Sequence, residues 1–186
     1  ARANVQCENC HGPGSEHAAR TSRNQIAKSY EDGVCTQCHD ATPYHIFAAQ
    51  WKTSEHFVAT SYPSDPNRGS CVQCHTGTGF ITTNDPDYIE VETSYSNINC
   101  QTCHDPHSAE NEHQIRKMDD VTLGNDEVAS GGGLGQVCMN CHKSRRNASE
   151  YVLEYHSHYG PHSGPQTDML FGTNAVEFGK PVGISP

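Results

Sequence analysis

Hydrophobic residues are sparse along this chain, and only short stretches repeat them with the period of a helix or a strand. Residues 147–156 form the best helix candidate, because Tyr151 and Tyr155 recur one turn apart and Asn147 or Ser149 can cap the start. We therefore expect one clear helix here and only short elements elsewhere.

Two shorter helices and one hairpin complete the predicted elements. One helix covers about residues 16–22 behind an N-cap at Ser15, and another covers about residues 45–51. Residues 88–93 alternate in the manner of a strand, which indicates one short hairpin within residues 80–95.

Prolines and glycines mark the predicted loops. Residues 61–70 contain two prolines and a glycine, and residues 119–135 are polar and include three consecutive glycines. We expect both stretches to be loops, the second of them a flexible surface loop. The expected fold class is mostly irregular, with short α-helices and little β-structure.

The composition does not supply an ordinary hydrophobic core. Hydrophobic residues make up 33% of the chain, and the mean hydropathy is -0.74. A chain with so few apolar side chains drifts towards disorder when it stands alone. We therefore expect another apolar body to take the place of the core.

All ten cysteines fall in one motif, Cys-x-x-Cys-His, which occurs five times and is numbered here first to fifth along the chain. This motif is the attachment signature of c-type haem: both thiols bind the porphyrin as thioethers, and the histidine becomes the proximal iron ligand. The predicted attachment cysteines are Cys7, Cys10, Cys35, Cys38, Cys71, Cys74, Cys100, Cys103, Cys138 and Cys141. The predicted proximal ligands are His11, His39, His75, His104 and His142.

Zinc ribbons and disulfide frameworks also use paired cysteines. A zinc site built from such pairs does not need a histidine after each of them, and two cysteines so close in sequence cannot close a long loop. The histidine after all five pairs therefore favours covalent haem, with zinc or disulfides as the alternatives.

Five c-type haems would change how the chain folds. Each is a large flat apolar body tied to the chain by two covalent bonds and at least one metal–histidine bond. We expect a haem-cored multihaem cytochrome c fold, with residues 1–186 as a single domain wrapped around the cofactors. Because ligand bonds and folding are linked, such a fold should not survive without haem.

The net charge and the predicted haem attachment indicate an exported protein. The net charge is -10 with histidine neutral, which argues against binding to nucleic acid. The sequence contains no apolar run long enough for a transmembrane segment and no signal peptide, although haem attachment normally follows export. We expect a periplasmic, extracellular or cell-surface protein, as either a mature chain or a piece of a longer one.

Distal ligands would be needed for five six-coordinate irons. Methionine is scarce, and Met139 is trapped between the cysteines of the fifth motif, so histidine is favoured on both faces of every iron, which implies low reduction potentials. The predicted distal ligands are His17, His45, His56, His107, His113, His158 and His162. The histidines outnumber the irons, and the surplus could be structural or could ligate haem in another subunit or in polypeptide outside this chain.

His107 can serve only a haem other than that of His104. The two histidines are three residues apart, and three extended residues span at most about 10 Å, which is too short to pass around a porphyrin edge. As a ligand, His107 would therefore join two haems closely together.

The motifs and their flanking residues resemble those of multihaem c-type cytochromes of metal-reducing and related anaerobic bacteria and archaea. The resemblance lies in CENCHGPGSEH from Cys7, CHDPH from Cys103 and HYGPHSGPQTDML from His158. It implies bis-histidine haems in alternating parallel-stacked and T-shaped pairs, export, and long-range electron transfer to minerals, proteins or other cells. Some members of that class polymerise into filaments with histidine ligation between subunits.

Two classes of function are open to such a chain. The first is a non-catalytic electron conduit that meets redox partner proteins or extracellular acceptors, as a homo-oligomeric filament or as a soluble shuttle. The second is a multihaem oxidoreductase of the nitrite, hydroxylamine or sulfur-oxyanion type, which needs one iron with an open site and often an unusual motif such as Cys-x-x-Cys-Lys. All five motifs end in histidine, so the sequence favours an electron-transfer protein that is not an enzyme.

Overall fold

The computed structural model describes residues 4–27, 32–40, 46–58, 69–85, 95–154 and 166–175. Within these ranges the chain forms short helices, turns and one two-stranded sheet, which confirms the expected fold class. The α-helices are α1 (Cys7–His11), α2 (Ser15–Arg20), α3 (Gly33–Thr36), α4 (Phe47–Lys52), α5 (Glu55–Val58), α6 (Gly69–His75), α7 (Gly77–Asn84), α8 (Cys100–Cys103), α9 (Gln136–Met139), α10 (Ala148–Glu154) and α11 (Gln166–Leu170). Two 3-10 turns cover Arg23–Gln25 and Gly133–Gly135, and the strands are β1 (Val121–Thr122) and β2 (Val128–Ala129).

The chain divides into two compact units, Ala1–Pro106 and His107–Pro186. The first unit contains the first four Cys-x-x-Cys-His motifs, and the second unit contains the fifth. The interpretation of residues 1–186 as a single domain stays a prediction.

The best-packed part of the first unit is the helix pair α6 and α7, which meet at Thr76. The Thr76 hydroxyl donates a hydrogen bond of 2.9 Å to the carbonyl of Val72 and accepts one of 3.0 Å from the amide of Gly79. The same side chain therefore closes α6 and caps α7, and Thr76 itself is fully buried. Phe80 and Ile81 are buried on the helix that follows, so this junction orders the residues just after the third motif.

Helix α8 packs against the start of α7 and is fixed by its own N-cap. Asn99 Oδ1 accepts a 3.0 Å hydrogen bond from the amide of Gln101, and the Asn99 amide donates one of 3.0 Å to Thr102 Oγ1. A Cβ placed on Gly77 would lie 2.6 Å from Thr102 Oγ1, so only glycine permits this approach. The third and fourth motifs are thereby brought into one packed arrangement.

The second unit is organised around a small core between its sheet and α9. Strand β1 pairs with β2 in antiparallel register, with Val121 opposite Ala129. Val121, Leu123, Ala129 and Met139 are buried together, and Phe171 packs against them. The expected flexible loop over residues 119–135 is therefore wrong: Val121 and Leu123 alternate with exposed Thr122 and supply core side chains.

The predicted hairpin within residues 80–95 is wrong over residues 80–84, where the chain continues as α7. The capping of Gly79 by Thr76 and the burial of Phe80 outweigh the β-branched residues that favoured a strand. Residues 88–93 lie outside the described ranges.

The predicted loop over residues 61–70 is corrected at its end, because Gly69 already belongs to α6. Residues 61–68 of that stretch lie outside the described ranges.

The three helices expected from the sequence are confirmed with small changes at their ends. The first is α2, in which Ser15 is the first helical residue and Gly14 takes the N-cap position instead. The second is α4, and its predicted start at His45 lies outside the described ranges. The third is α10, whose start is capped by Asn147, since Asn147 Oδ1 accepts a 3.1 Å hydrogen bond from the amide of Ser149.

None of the helices in the described ranges is long and apolar enough to cross a membrane.

Candidate functional site

The five Cys-x-x-Cys-His motifs share one local geometry, a single helical turn. The first lies wholly in α1 and the third in α6, and the remaining three start in α3, α8 and α9. In the second, fourth and fifth motifs the histidine amide donates to the carbonyl of the first cysteine, at 3.0, 2.9 and 2.9 Å. Residues three and four positions apart share one face of a helix, so each turn presents two thiols and an imidazole together. This arrangement fits a haem held at both thiols with the histidine beneath the iron.

The cysteines of the motifs are exposed or partly exposed. None of the ten cysteines, all of which lie in described ranges, is buried, and no disulfide joins any of them. Unmodified cysteine is among the residue types most often buried, so ten accessible thiols are unusual. In the described part of the chain no three His, Cys, Asp or Glu side chains converge as ligands of a metal ion. The geometry therefore suits a group bound by each motif separately.

The orientation of His11, the first predicted proximal ligand, is fixed by a backbone carbonyl. His11 Nδ1 lies 2.6 Å from the carbonyl oxygen of Ala27. A carbonyl can only accept, so Nδ1 carries the proton and the ring lone pair is on Nε2. A histidine that ligates a metal usually donates its other N–H to a carbonyl or carboxylate in this way. His11 therefore has the tautomer and the support of a metal ligand.

His17 has the same arrangement as His11, which suits its predicted role as a distal ligand. It lies half-buried on α2, and its Nδ1 donates a hydrogen bond of 2.9 Å to the carbonyl of Ser22. The lone pair is again placed on Nε2.

The other predicted distal ligands are divided by what the structure describes. His56 is exposed on α5, and His107 and His113 are exposed in the turns that follow the fourth motif. His45, His158 and His162 lie outside the described ranges. Which histidine serves which iron stays a prediction.

A cavity of about 420 Å³ opens beside the fifth motif. This volume lies in the usual range of about 300–1,000 Å³ for ligand pockets. Its wall is made of Gly132, Gly135, Cys138, Met139, His142, Gln166, Thr167 and Leu170. The cavity is therefore bordered by the thiol of Cys138 and the imidazole of His142, and most of its surface is apolar, which suits a haem.

Helix α11 holds His142, the predicted proximal ligand of the fifth motif, in place. The backbone amide and the hydroxyl of Thr167 both donate to the carbonyl of His142, at 3.0 and 2.6 Å. Gln166 Oε1 faces the ring Nδ1 of the same histidine at 3.4 Å. Sequence reasoning missed these residues, although the segment that contains them carried part of the resemblance.

A buried carboxylate anchors α11 in turn. Asp168 is only 3% exposed and accepts hydrogen bonds of 2.8 Å and 2.5 Å from the amide and the hydroxyl of Ser144. Asn174 Nδ2 adds a third donor at 2.7 Å, and Asn174 Oδ1 accepts from the amide of Ala148. A buried charge is tolerated only when it is fully hydrogen-bonded, and this one has three donors. The segment just after the fifth motif is therefore fixed to α11.

The second and fourth motifs meet inside the first unit. The thiols of Cys35 and Cys100 are hydrogen-bonded to each other, which raises the pKa of Cys35 and lowers the pKa of Cys100 to about 7. Burial and the neighbouring charges of Cys100, Cys10 and Asp32 raise the pKa of Cys35 further. Because the effect of Cys10 requires it to lie close by, the first motif also approaches this pair.

Hydrogen bonds from side chains to backbone carbonyls bring the same parts of the chain together, independently of the thiols. Trp51 Nε1, on the helix after the second motif, donates a 3.2 Å hydrogen bond to the carbonyl of Ile98, just before the fourth motif. Asn97 Nδ2 donates to the carbonyl of Phe57 at 3.3 Å, and the rings of Trp51 and Phe57 meet edge to face at 4.8 Å. The second and fourth motifs are therefore neighbours in the fold.

The chain is similar to known cytochromes. It is 27% identical over 121 residues to the C-type polyheme cytochrome OmcB of Geobacter sulfurreducens, a match that covers 55% of this chain and 15% of OmcB. It is 25% identical over 170 residues to the multiheme cytochrome MtrA of Shewanella baltica, covering 77% of this chain and 44% of MtrA. The chain thus spans less than half the length of either relative. No protein-family model and no solved structure matches it.

Proposed function

We propose that this chain, a multihaem c-type cytochrome, carries electrons through five covalently bound haems as a non-catalytic conduit. When bound, each haem supplies one-electron exchange between ferric and ferrous iron. The residues of the chain provide attachment through the ten cysteines and a proximal ligand through His11, His39, His75, His104 and His142. One observation carries the proposal: each of the five motifs begins in a helical turn, and at that spacing two thiols and an imidazole would come close together.

We assign histidine to both faces of each iron. The distal ligands are drawn from His17, His45, His56, His107, His113, His158 and His162. The Nδ1 contacts of His11 and His17 support this assignment, because each places the lone pair on Nε2. In this scheme His107 ligates a haem other than that of His104, since three residues cannot span a porphyrin.

The packing of the first unit supports rapid electron exchange between haems. The α7–α8 contact joins the third and fourth motifs, and the Trp51–Ile98 bond joins the second and fourth. Haems attached to neighbouring turns would lie close to each other, as transfer over a chain of cofactors requires. The residues then act as a scaffold that sets the spacing between cofactors.

We further propose that the protein works outside the cytoplasm, in the periplasm or at the cell surface, with redox proteins or extracellular acceptors as its partners. The net charge of -10 suits partners with a basic docking surface. Polymerisation into a filament with histidine ligation between subunits would use the surplus histidines. Negative-stain imaging of the purified holoprotein separates a filament from a monomeric shuttle.

Haem counting tests the main proposal. Intact mass measurement and the pyridine haemochrome spectrum should give five haems per chain, each attached through both cysteines of its motif. The ferric and ferrous spectra should be fully low-spin and should not change with carbon monoxide. A high-spin haem that binds carbon monoxide would instead favour the multihaem oxidoreductase, because a reductase needs one open iron.

A further inference from the structure

We infer that Gln166 is a positioning residue that tunes the reduction potential of the haem at the fifth motif through the ring of His142. The inference rests on the proposed attachment of haem at Cys138 and Cys141. Gln166 Oε1 lies 3.4 Å from His142 Nδ1, on the side of the cavity formed by α11. The amide oxygen accepts the Nδ1 proton, so His142 faces the iron with Nε2.

Bonds from Thr167 to the backbone of His142 support the contact between Gln166 and the ring of His142. Thr167, the next residue, binds the carbonyl of His142 through its amide at 3.0 Å and through its hydroxyl at 2.6 Å. A movement of α11 away from His142 would therefore have to break these two bonds as well as the contact of Gln166. The glutamine side chain therefore starts from a fixed point beside the ring.

Asp168 completes the anchor on the other side of α11. Its buried carboxylate is bound by the amide and hydroxyl of Ser144, two residues after His142. Three consecutive residues of α11 thus contact the segment 142–144. Gln166 contacts the ring of His142, Thr167 binds the carbonyl of His142, and Asp168 binds the amide of Ser144. Such redundancy is expected where the orientation of a ligand matters, because a loosely held imidazole gives a poorly defined potential.

The type of acceptor determines the electronic effect. A neutral amide oxygen draws weakly on the Nδ1 proton, whereas a carboxylate draws strongly and gives the imidazole more negative character. A more basic ligand stabilises ferric over ferrous iron, so reduction becomes harder. The step itself is one electron received from a redox partner, with no proton transferred and no bond broken. Gln166 would therefore hold this haem at a higher potential than glutamate would.

The test uses the full-length holoprotein with Gln166→Glu and Gln166→Leu. NMR of the haem methyl groups during stepwise reduction follows each haem separately. We expect one haem to be lowered in potential by Gln166→Glu and raised by Gln166→Leu, while the others change little. Shifts in the same direction for both variants, or no haem that responds, would overturn the inference.

A charge control is available in the same unit. Asn147→Asp adds the same negative charge and keeps the oxygen that caps α10 through the amide of Ser149. It should shift the haem at the fifth motif much less than Gln166→Glu does. An equal shift would mean that the charge acts through space and that the contact with His142 has no special role.

A second variant separates the ring contact from the backbone clamp. Thr167→Val removes the hydroxyl bond to the His142 carbonyl but leaves Gln166 beside the ring. We expect a smaller change in potential than with Gln166→Leu, and an equal change would assign the effect to the clamp. Peptide mass spectrometry shows whether Cys138 and Cys141 carry haem. Absent haem contradicts the proposed function, whereas attached haem with unchanged potential contradicts only this inference.

Discussion

The side chains of Cys35 and Cys100 lie next to each other in the first unit, although they belong to the second and fourth motifs. The Trp51–Ile98 bond brings the same two parts of the chain together. The order of the motifs in the sequence is therefore not the order in which they meet in the fold. An electron path through the first unit would include a direct step between the second and fourth haems.

We predict that the second and fourth haems are excitonically coupled. Removing either one, by alanine at both cysteines of its motif, should abolish the same part of the two-signed Soret circular dichroism band. Removing both haems should reduce this two-signed signal no further, because the loss of either haem already abolishes the coupling between them. Haem content per chain confirms that only the targeted site is lost.

The double variant gives the decisive comparison. If the second and fourth haems are not coupled, the losses from the two single variants should add in a simple sum. Additive losses between the second and fourth motifs would contradict the prediction that they are adjacent.

His107→Ala should expose one iron. If His107 ligates a haem, its removal leaves a five-coordinate site that becomes high-spin and binds one carbon monoxide per chain. His156→Ala is the matched control, because His156 is not among the predicted iron ligands, and this variant should remain low-spin. A fully low-spin His107→Ala protein would remove this histidine from the ligand set.

Gly77→Ala should destabilise the first unit by about 1–3 kcal/mol, the usual cost of overpacking. The new methyl group would fall 2.6 Å from Thr102 Oγ1 and separate α7 from α8. Gly33→Ala is the control: its Cβ meets nothing within 4 Å, and alanine favours a helix by about 0.5–1 kcal/mol. Denaturant unfolding of the holoprotein should therefore give opposite signs for the two variants.

Asp168→Asn should weaken the fifth motif and leave the first unit unchanged. The amide would turn a donor towards the groups of Ser144 and Asn174 that now donate to the carboxylate, at a cost of about 1–3 kcal/mol. Hydrogen exchange should increase over residues 142–148 and 166–174. Asp126→Asn tests the same chemistry at an exposed turn with φ of 66°, which asparagine tolerates, and exchange there should not change.

Lys117 should make a small, pH-dependent contribution to stability through Asp119. The hydrogen bond and charge of Lys117, at 2.5 Å, lower the pKa of Asp119 below its ordinary value of 3.8. A lowered carboxyl pKa stabilises the folded state above pH about 4, and this contribution is lost as the pH falls through the folded pKa. Because Asp119 is exposed, Asp119→Asn should cost less than about 1 kcal/mol at neutral pH.

Added salt and a substitution at a neighbouring carboxylate test whether the Lys117–Asp119 ion pair causes this contribution to stability. Added salt should remove the contribution of Asp119, since exposed charges are screened. Asp120→Asn, an exposed neighbour in the same turn, should show a smaller effect. Equal losses for the two variants would point to net charge and away from the ion pair.

Features that depend on residues close together in sequence were easier to predict than the packing between distant parts of the chain. The five motifs were visible because each keeps its cysteines and histidine within one turn. The helices α2, α4 and α10 were predictable for a similar reason, since local spacing and capping define them. The assignment of distal ligands stays a prediction, because it depends on contacts between distant parts of the chain.

The errors have the same physical origin. Residues 119–135 look like a loop because glycine and polar residues dominate, but Val121, Leu123 and Ala129 gain their burial from Met139 and Phe171. Helix α7 contains two glycines and five β-branched or aromatic residues in eight, and it forms because Thr76 caps it and its neighbours bury it. The residues that bury these two segments lie far away in the sequence, so a short stretch of sequence does not reveal them.

The boundary between the two units falls between Pro106 and His107, with four motifs before it and one after. Each side has buried side chains of its own, so a gene rearranged at this point would exchange whole blocks and leave the packing inside each block intact. The number of haems in such a lineage would then change by blocks of motifs.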